Sequence, residues 1–420
     1  MNQFSELPLC SALQSNLKRN NFAEPTPVQA QAIPAALDGR DIVATAQTGT
    51  GKTLAFVLPM VEKLQAESAA KGVRALVLTP TRELAIQIQE VVKLLTAGMN
   101  LRSAVVVGGL NESTQLQAIR RGAQLVIATP GRLCDFLDRK LVNLSGLEVL
   151  VLDEADRMLD MGFLPALNMI LKAMPAERQT LFFSATIEQS VAHLISKHVK
   201  NPVRISIGAS TKPAAEVDLH HYEVEQDFKL SLLRRLLDAE TGSFLVFAKT
   251  KHGTDRLAKK LAREGVDAAR IHGGRTQSQR NQALHGFKKG DYRVLVATDV
   301  AARGIHVDGI AHVVNYDLPQ VPEDFIHRVG RTGRAGAKGT ASTFSTRSER
   351  SEIRRIEQLL KTRLTPQETG KDLKREEKGS GADHLAFTDN VKPFVKHHAK
   401  SFSPSGRRGP KPQRRAAWGR

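Results

Sequence analysis

Short uninterrupted apolar runs recur along the chain, and each is followed by a Gly-, Pro- or Thr-rich turn and a helical pattern. Apolar runs without alternation are typical of strands covered on both faces, as in a parallel sheet between helices. The predicted strands are Ile42–Ala44, Ala75–Leu78, Ala104–Val107, Leu125–Ala128, Val149–Leu152, Leu181–Phe183, Phe244–Phe247, Ala268–Ile271, Val294–Ala297 and His312–Val314. Because strands and helices alternate, the pattern predicts doubly wound α/β domains.

This rhythm pauses once, in the proline- and small-residue segment 208–219, which we interpret as a linker. A chain of 420 residues is also too long for one ordinary core. We therefore expect one α/β domain over residues 1–207, a second over 220–364, and a tail over 365–420. The cleft between two such domains is the expected place for a ligand.

The tail changes the interpretation of the charge. The chain carries a formal net charge of +18, and residues 391–420 contribute nine basic side chains and no acidic one. This composition predicts a disordered basic tail, with nucleic acid as the partner. Phe394, Phe402 and Trp418 lie among the basic residues, where they could stack on bases. The alternative is a solvated tail that only aids solubility.

Cysteine and histidine add little chemistry. Cys10 and Cys134 are the only cysteines, which fits packing roles in a reducing cytosol. We see no signal peptide and no run of apolar residues long enough for a membrane span, so we expect a soluble cytoplasmic protein. The pairs 220–221 and 397–398 are interpreted as surface histidines, and His272 as a residue that shapes a loop.

The first apolar run leads into a phosphate-binding pattern. Glycines allow backbone N–H groups to surround phosphates, and the helix that begins near Lys52 would direct its positive end at them. Lys52 is expected to reach the β and γ phosphates, and the Thr53 hydroxyl to coordinate Mg²⁺. The general pattern begins with glycine, where this chain has alanine. The loop residues are Ala46, Gln47, Thr48, Gly49, Thr50, Gly51, Lys52 and Thr53.

An acidic sequence, Asp153-Glu154-Ala155-Asp156, follows the run Val149–Leu152 directly. Asp153 at the end of its strand is expected to face the phosphate loop and hold Mg²⁺. Glu154 is placed to orient or deprotonate the attacking water. Together with the loop, these acids predict hydrolysis of a nucleoside triphosphate. No guanine-reading motif is evident, which argues against a GTPase.

With these motifs in view, the chain resembles the DEAD-box RNA helicases over residues 1 to about 364, and within them the RhlE-like branch. About ten motifs follow the order of that family. The resemblance implies two tandem RecA-like domains, ATP and Mg²⁺ as cofactors, and RNA as the partner. It implies RNA-stimulated ATP hydrolysis coupled to lobe closure and to local unwinding of RNA duplexes or remodelling of ribonucleoproteins.

The resemblance also assigns an adenine-reading element before the first strand. Gln29 is expected to pair with adenine, because its amide offers a donor and an acceptor. Asn21 stands where the family usually has glycine. Beside the phosphate loop, the implied ATP-binding residues are Phe4, Phe22, Gln29, Asp156, Gly304 and His306.

His306 departs from the family, which usually has an aspartate that contacts the ATP ribose. Because histidine is not a permanent anionic acceptor, the hypothesis is weaker ATP affinity, weaker coupling or a dependence on pH. The alternative is that neutral His306 or Asp308 accepts the same hydrogen bond.

Loops of both domains resemble the RNA-side and coupling motifs of the family. The implied catalytic residues are Lys52, Asp153 and Glu154 in the first domain, with Arg331 and Arg334 as arginine fingers from the second. Ser184, Thr186 and His327 are implied to couple hydrolysis to RNA handling. The implied RNA contacts are Pro80, Thr81, Arg82, Gly108, Gly109, Thr129, Pro130, Gly131, Arg132, Thr250, Gln277, Arg280, Thr298 and Arg303.

Two alternative functions remain open at this point. One is an ATP-dependent RNA clamp with weak hydrolysis, which only His306 favours. The other is a DNA-dependent ATPase, because no motif reads the 2′-hydroxyl from sequence alone. Ribosomal or RNA-decay proteins are further expected partners, and the sequence does not choose the RNA or the pathway.

Overall fold

The computed structural model describes residues 2–46, 49–66, 72–207, 217–302, 307, 309–333, 338–370 and 372–376. We call the described residues up to Ile207 the first lobe and those from Val217 to Glu376 the second lobe. Each lobe contains one parallel sheet with helices around it, as the apolar runs predict. No helix in these ranges is both long enough and apolar enough to cross a membrane.

The first sheet has the strand order β3-β4-β2-β5-β6-β1-β7 and the second β10-β11-β9-β12-β13-β8. The strands of the first lobe are β1 Ile42–Ala46, β2 Ala75–Leu78, β3 Ser103–Val106, β4 Leu125–Ala128, β5 Val149–Leu152, β6 Gln179–Ser184 and β7 Val203–Ile207. Those of the second lobe are β8 Val217–Glu223, β9 Phe244–Phe247, β10 Ala268–Ile271, β11 Val294–Ala297, β12 His312–Asn315 and β13 Gly339–Ser345.

Helices cover both sheets. In the first lobe they are α1 Ser11–Arg19, α2 Pro27–Leu37, α3 Lys52–Ala66, α4 Arg82–Leu95, α5 Glu112–Arg120, α6 Pro130–Asp138, α7 Ala155–Asp160, α8 Leu164–Lys172 and α9 Gln189–His198. In the second they are α10 Lys229–Ala239, α11 Lys251–Arg263, α12 Gln277–Lys289, α13 Asp299–Ala302, α14 Pro322–Val329 and α15 Arg350–Leu360. Short 3₁₀ turns occupy Phe4–Glu6, Gln226–Phe228 and Arg347–Glu349.

The order of the first sheet determines where the chemistry lies. Strands β5, β6 and β1 are neighbours, and all three run parallel. Their carboxyl ends therefore meet at one edge of the sheet, where ligands of open α/β sheets bind. Three of the predicted motifs follow these strands: the phosphate loop after Ala46, the acids after Leu152 and the coupling segment at Ser184.

Three strands lie outside the predicted runs. Strand β7 is a half-exposed edge strand, β13 is buried but reads Gly-Thr-Ala-Ser-Thr-Phe-Ser, and β8 pairs with it from Val217 onward. Strand β8 thus begins inside the segment 208–219 that we interpreted as a linker. The residues before it, 208–216, lie outside the described ranges.

The described chain also continues past the expected start of the tail at residue 365. Gln367 N donates to His221 O at 2.7 Å, and Lys374 N donates to Ser231 Oγ at 3.0 Å. Leu373 packs against the apolar cluster of the second lobe, and Arg375 pairs with Asp227. Residues 366–370 and 372–376 are therefore held by the second lobe, through backbone hydrogen bonds, an ion pair and the packing of Leu373.

Two histidines of the second lobe are structural. His221 is buried, with Nδ1 2.9 Å from Leu364 O and Nε2 2.8 Å from Ser345 Oγ, so its interpretation as a surface residue was wrong. His312 is buried at the start of β12, with Nε2 2.9 Å from Ser342 Oγ and its ring stacked on Phe244. Burial lowers the pKa of His312 from 6.5 to about 4, and nearby His220 acts in the same direction.

This shift predicts acid sensitivity of the second lobe. Because the folded pKa lies below the unfolded one, the unfolded chain binds the proton more readily, and stability falls as the pH drops from about 6.5 to about 4. The full loss amounts to about 3 kcal/mol. Denaturant unfolding at pH 7.5 and pH 5 should show a shallower pH dependence in His312→Gln than in the wild type. Exposed His285→Gln serves as the control, and equal slopes in all three proteins would contradict the assignment.

Candidate nucleotide and RNA site

Lys52 begins α3 immediately after the phosphate loop and is almost completely buried. Its Nζ donates to Ala46 O, at the end of β1, at a distance of 2.9 Å. The backbone has positive φ at Gly49 and Gly51, as a loop that curls around phosphates requires. The structure thus brings the lysine, the strand end and the loop together in the predicted way. Gln47 and Thr48 lie outside the described residues.

The base-reading element is joined directly to this loop. Gln29 Nε2 donates to Gly51 O at 2.9 Å, and Thr26 Oγ1 donates to Thr50 O at 2.7 Å. Gln29 Oε1 also accepts from Thr26 N, which caps α2. A Cβ at Gly51 would collide with Gln29 Nε2, so glycine is required by space as well as by φ. Contact of a base with Gln29 would therefore be transmitted to the phosphate loop.

The aromatic residues of this element differ in exposure. Phe22 is half-buried and packs at the edge of the first core, whereas Phe4 is 2% exposed within it. Phe4 thus supports the element by packing, and its contact with a nucleotide stays a prediction. Asn21 adopts a φ of 58°, which explains why asparagine can replace glycine there.

Asp153 lies at the end of β5, 3% exposed, and its Oδ1 has no hydrogen-bond partner among the described residues. Burial raises its pKa to about 7, although the charge of Lys52 acts in the opposite direction and Glu154 adds repulsion. A buried carboxylate oxygen without a donor is the ligand that a hard dication prefers. The side chains present therefore fit Mg²⁺, which Asp153 and Thr53 would hold.

The described residues contain no cluster of three or more His, Cys, Asp or Glu side chains able to hold a metal ion by themselves.

Glu154 occupies an unusual backbone position, with φ 52° and ψ 51° at the N-cap of α7. Its side chain is buried, and Oε2 has no hydrogen-bond partner in the described part of the chain. Non-glycine residues in this region cost of order 1–3 kcal/mol and cluster at functional sites. The strained turn thus lies at the residue that sequence analysis placed beside the attacking water.

Asp156 contacts the coupling segment. Its Oδ2 accepts from Ala185 N and Thr186 N, both at 3.0 Å, and from Thr186 Oγ1 at 3.3 Å. Its own N donates to Ser184 Oγ, and Ser184 Oγ donates to Thr186 O at 2.7 Å. Asp156, expected to contact ATP, therefore joins the acidic motif to the coupling residues through its carboxylate.

The first RNA loop is held by helix caps. Thr81 caps α4 by accepting from Leu84 N, and Pro80 is buried beside it. The Arg82 guanidinium lies against the backbone of Gly108 and Gly109, where a Cβ on Gly109 would collide with it. Gly109 also has a φ of 77°. The structure thus gathers Arg82 and the two glycines, predicted separately, into one surface.

The second RNA loop carries a paired arginine. Thr129 and Pro130 begin α6, and Gly131 is exposed there. Arg132 Nη1 donates to Glu112 Oε2 at 2.8 Å, and Arg139 binds the other oxygen of Glu112. Glu112 is a residue that the sequence analysis missed. Any phosphate that binds Arg132 competes with this carboxylate.

Gln277 and Arg280 reach the first lobe. Gln277 Nε2 donates to Glu83 Oε1 at 2.9 Å, and Arg280 Nη2 lies 2.8 Å from Glu83 Oε2. All three side chains are buried. The two residues expected to contact RNA therefore contact the other lobe, through Glu83, to which the sequence analysis gave no role. This arrangement joins the RNA loop of α4 to the second lobe.

In the second lobe, Arg328 organises the strand ends. It binds Asp299 with two hydrogen bonds, of 2.5 and 2.7 Å, and Asp317 O with a third of 2.6 Å. Its guanidinium also lies 4.9 Å from the centre of the Phe247 ring. The sequence analysis did not predict this pairing of Arg328 with Asp299. Thr298 directly precedes α13, and Thr250 caps α11.

Residues of both lobes share one narrow cavity. Arg157 from α7 of the first lobe faces Asp324, His327 and Arg331 of the second. Arg331 is 2% exposed, and its N donates to Arg328 O. The predicted arginine finger and His327 thus lie at the boundary with the acidic motif. Arg303, Gly304, His306 and Arg334 lie outside the described residues, as do the tail aromatics and residues 397–398.

Two remaining predictions concern loop residues. His272 Nδ1 accepts from Gly274 N and Nε2 lies 3.1 Å from Asp255 Oδ1, so this histidine shapes its loop. Burial also lowers its pKa. Cys10 and Cys134 pack at the edges of the two clusters of the first lobe.

The sequence and fold match known proteins. The family model DEAD/DEAH box helicase matches residues 26–194, and helicase conserved C-terminal domain matches residues 228–336. ATP-dependent RNA helicase CshA of Listeria monocytogenes is 43% identical over 87% of this chain and 70% of that protein. DEAD-box ATP-dependent RNA helicase CshA of Streptococcus pneumoniae is 42% identical over 78% of this chain, which spans only 62% of that protein.

A solved structure agrees with this result. S. cerevisiae Dbp5 bound to RNA and ADP BeF3 has a TM-score of 0.79 and 32% identity, over 87% of this chain and 96% of that one. The two RecA-like domains, with the phosphate loop and the acidic motif at the strand ends of the first, have the architecture of an ATP-driven helicase. The chain belongs to the DEAD-box family of ATP-dependent RNA helicases.

The contact between Glu83 and α12 leads to a testable prediction. Glu83→Gln would leave the buried charge of Arg280 without its counter-ion when the lobes meet. We expect RNA-stimulated ATP turnover to fall about tenfold, the effect of about 1.4 kcal/mol on closure. Glu90→Gln on the same helix is the matched control, because among the described residues Glu90 pairs with Lys93 alone, at the surface. Equal turnover in the two variants would refute this role.

Proposed function

We propose that this chain hydrolyses ATP in response to RNA and uses lobe closure to open short stretches of RNA duplex. The observation that carries the proposal is the cavity in which Arg331 of the second lobe faces α7, the helix that follows the acidic motif. Phosphoryl transfer needs a phosphate loop, a metal-holding carboxylate, a group that orients water and an arginine. Lys52, Asp153, Glu154 and Arg331 supply these groups.

Each side chain has a distinct task in this proposal. Lys52 leaves Ala46 O to bind the β and γ phosphates, and Glu154 accepts the proton of the attacking water. Arg331 and Arg334 approach the γ-phosphate from the second lobe. Mg²⁺, held by Thr53 and Asp153, would neutralise phosphate charge when bound.

RNA enters through the loops at the strand ends of both lobes. Arg82, Gly109 and Thr129 in the first lobe and Thr250 and Thr298 in the second present hydroxyls, backbone groups and a guanidinium. These groups suit sugar–phosphate contacts, which position a strand without reading its sequence. Glu83 with Gln277 and Arg280 would hold the two halves of this surface in register.

Closure of the two lobes on RNA then supplies the free energy for strand separation. A strand gripped from both lobes is bent, by analogy with the family, and a duplex cannot follow that bend. Opening each stacked step costs roughly 1.4 kcal/mol, a DNA figure, so a few steps lie within reach of the binding energy of closure. Hydrolysis and phosphate release reopen the lobes. The proposal is thus local strand separation without long-range translocation.

The test is steady-state ATP hydrolysis with no nucleic acid, with single-stranded RNA and with DNA of the same sequence. Strong stimulation by RNA alone supports the proposal. Equal stimulation by both would favour a DNA-dependent ATPase, and ATP-dependent RNA binding with negligible hydrolysis would favour a clamp. In the clamp case, His306 would be the first residue to change to aspartate.

Several finer proposals rest on sequence alone. We place the chain in the RhlE-like branch from its motifs, and in the cytoplasm from its cysteine usage. Ribosomal or RNA-decay proteins remain proposed partners. The domain limits 1–207 and 220–364 also remain proposals, and the contacts of β8 and of residues 366–376 favour a second domain that extends from 217 to 376.

A further inference from the structure

Arg157 is the one arginine of α7, and it is buried at the boundary between the lobes. Its Nη1 lies 3.6 Å from Asp324 Oδ1 of the second lobe, and its Nε lies 3.9 Å from Glu154 Oε2. One cation is therefore shared by the proposed general base of the first lobe and by a carboxylate of the second. The acidic motif holds this arginine through its backbone as well, because Arg157 N donates to Asp156 Oδ1 at 3.0 Å.

Neither of these ion pairs is tight. Glu154 Oε2 and Arg157 Nη2 have no hydrogen-bond partner among the described residues, although both are buried. Buried polar atoms without partners are costly, so a small movement of the Arg157 guanidinium that gives one of them a partner would be favourable. Movement toward Asp324 would lengthen the contact with Glu154, and movement toward Glu154 would lengthen the contact with Asp324.

We propose that Arg157 is a positioning residue that links lobe closure to Glu154. This inference rests on the proposed function. When the lobes are apart, Asp324 is distant and Arg157 pairs with Glu154, which ties up the carboxylate that must accept a proton. When they meet, Asp324 draws the guanidinium away and Glu154 becomes available to water. RNA, by promoting closure, would in this way release the general base.

The position of Asp324 supports this linkage. It lies in the first turn of α14, the helix that ends just before Arg331, and it lines the same cavity as Arg331 and His327. Closure that brings the arginine finger to the phosphates therefore brings Asp324 to Arg157 in the same movement. The approach of Arg331 to the phosphates and the release of Glu154 would therefore both depend on the position of α14.

The test is a double-mutant cycle with Arg157→Met, Asp324→Asn and the double variant. RNA-stimulated kcat and the KM for ATP are measured for each. We expect Asp324→Asn to lower kcat about tenfold with KM changed less than about twofold, because Arg157 then stays on Glu154. Arg157→Met and the double variant should stay within about threefold of the wild type, because Glu154 is then never tied up. A double variant that loses the same tenfold as Asp324→Asn, or more, would overturn the proposal.

Two controls separate positioning from folding. Glu323→Gln, the neighbouring carboxylate on α14, should match the wild type. Arg157→Lys combined with Asp324→Asn should keep the loss of kcat seen in Asp324→Asn, because its cation still pairs with Glu154. If Arg157→Met does not fold, as thermal unfolding would reveal, Asp324→Asn against Glu323→Gln decides the matter. Equal kcat in that pair would also refute the linkage.

A second readout distinguishes this inference from the proposed function. RNA affinity in the presence of a non-hydrolysable ATP analogue reports closure without chemistry. If the wild type fails to hydrolyse ATP, the proposed function fails. The cycle in RNA affinity then still supports Arg157–Asp324 pairing if it is non-additive, and overturns it if additive.

Discussion

Arg331→Ala is expected to lower RNA-stimulated ATP turnover by roughly 10³, because arginine fingers contribute about 10³–10⁵ in other phosphoryl-transfer systems. The side chain is buried in the cavity between the lobes and follows α14 directly. Arg331→Lys should lose nearly as much, since an ammonium cannot reproduce the fork of a guanidinium. The measurement is kcat at saturating RNA and ATP.

The expected result depends on distinguishing Arg331 from Arg328, three residues earlier. Arg328 is fixed by Asp299, Asp317 O and the Phe247 ring, so its replacement would act through the fold of the second lobe. Arg347→Ala is the control for surface charge, because this arginine is 78% exposed. Thermal unfolding of all variants checks folding. Turnover of folded Arg331→Ala within about tenfold of the wild type would contradict the finger assignment.

The strands show how far pattern alone can carry a fold prediction. The predicted run Val149–Leu152 matches β5 residue for residue, because a strand buried on both faces must be apolar throughout. Strand β13 was not predicted because its buried positions are occupied by Gly, Ala, Ser and Thr. These small residues fit where Ser342 meets His312 and Thr343 meets Asn315. Hydrogen bonding inside the sheet replaces apolar character there, and no run reveals it.

The candidate site also has a part that the sequence predicts and a part that it does not. Asp153 was predicted to face the loop that holds Lys52, and the two lie at the ends of β5 and β1, which flank β6 in the sheet. The pairs Glu83–Arg280 and Arg157–Asp324 are separated by well over a hundred residues and depend on how the lobes meet. Nothing in the local sequence marks such partners, because an ion pair between lobes needs no fixed spacing.

Histidine gives the clearest case of an interpretation that needed the structure. The absence of metal-ligand company around His221 did not imply exposure. Its two ring nitrogens instead meet Ser345 and Leu364 O, which ties β8 to the chain after α15. A buried histidine is acceptable there because both nitrogens have partners.

Glu154→Gln is expected to lower ATP hydrolysis by about 10²–10⁴, the usual contribution of a positioned general base. The carboxylate is buried at a strained turn, and Oε2 has no hydrogen-bond partner among the described residues. Glutamine keeps the shape of the side chain but cannot accept the proton of water. ATP should therefore still bind, and RNA binding with ATP should persist or last longer, since closure is no longer relieved by hydrolysis.

Exposed Glu177→Gln in the same lobe controls for the loss of a carboxylate, because its only contact in the described structure is with Lys200 at the surface. Hydrolysis and ATP-dependent RNA binding are measured side by side for both variants. Loss of hydrolysis with retained binding separates the chemical step from closure, which the proposed mechanism requires. If Glu154→Gln lost both together, Glu154 would act chiefly in building the site. If it lost neither, the general base would have to be sought elsewhere at the end of β5 or β6.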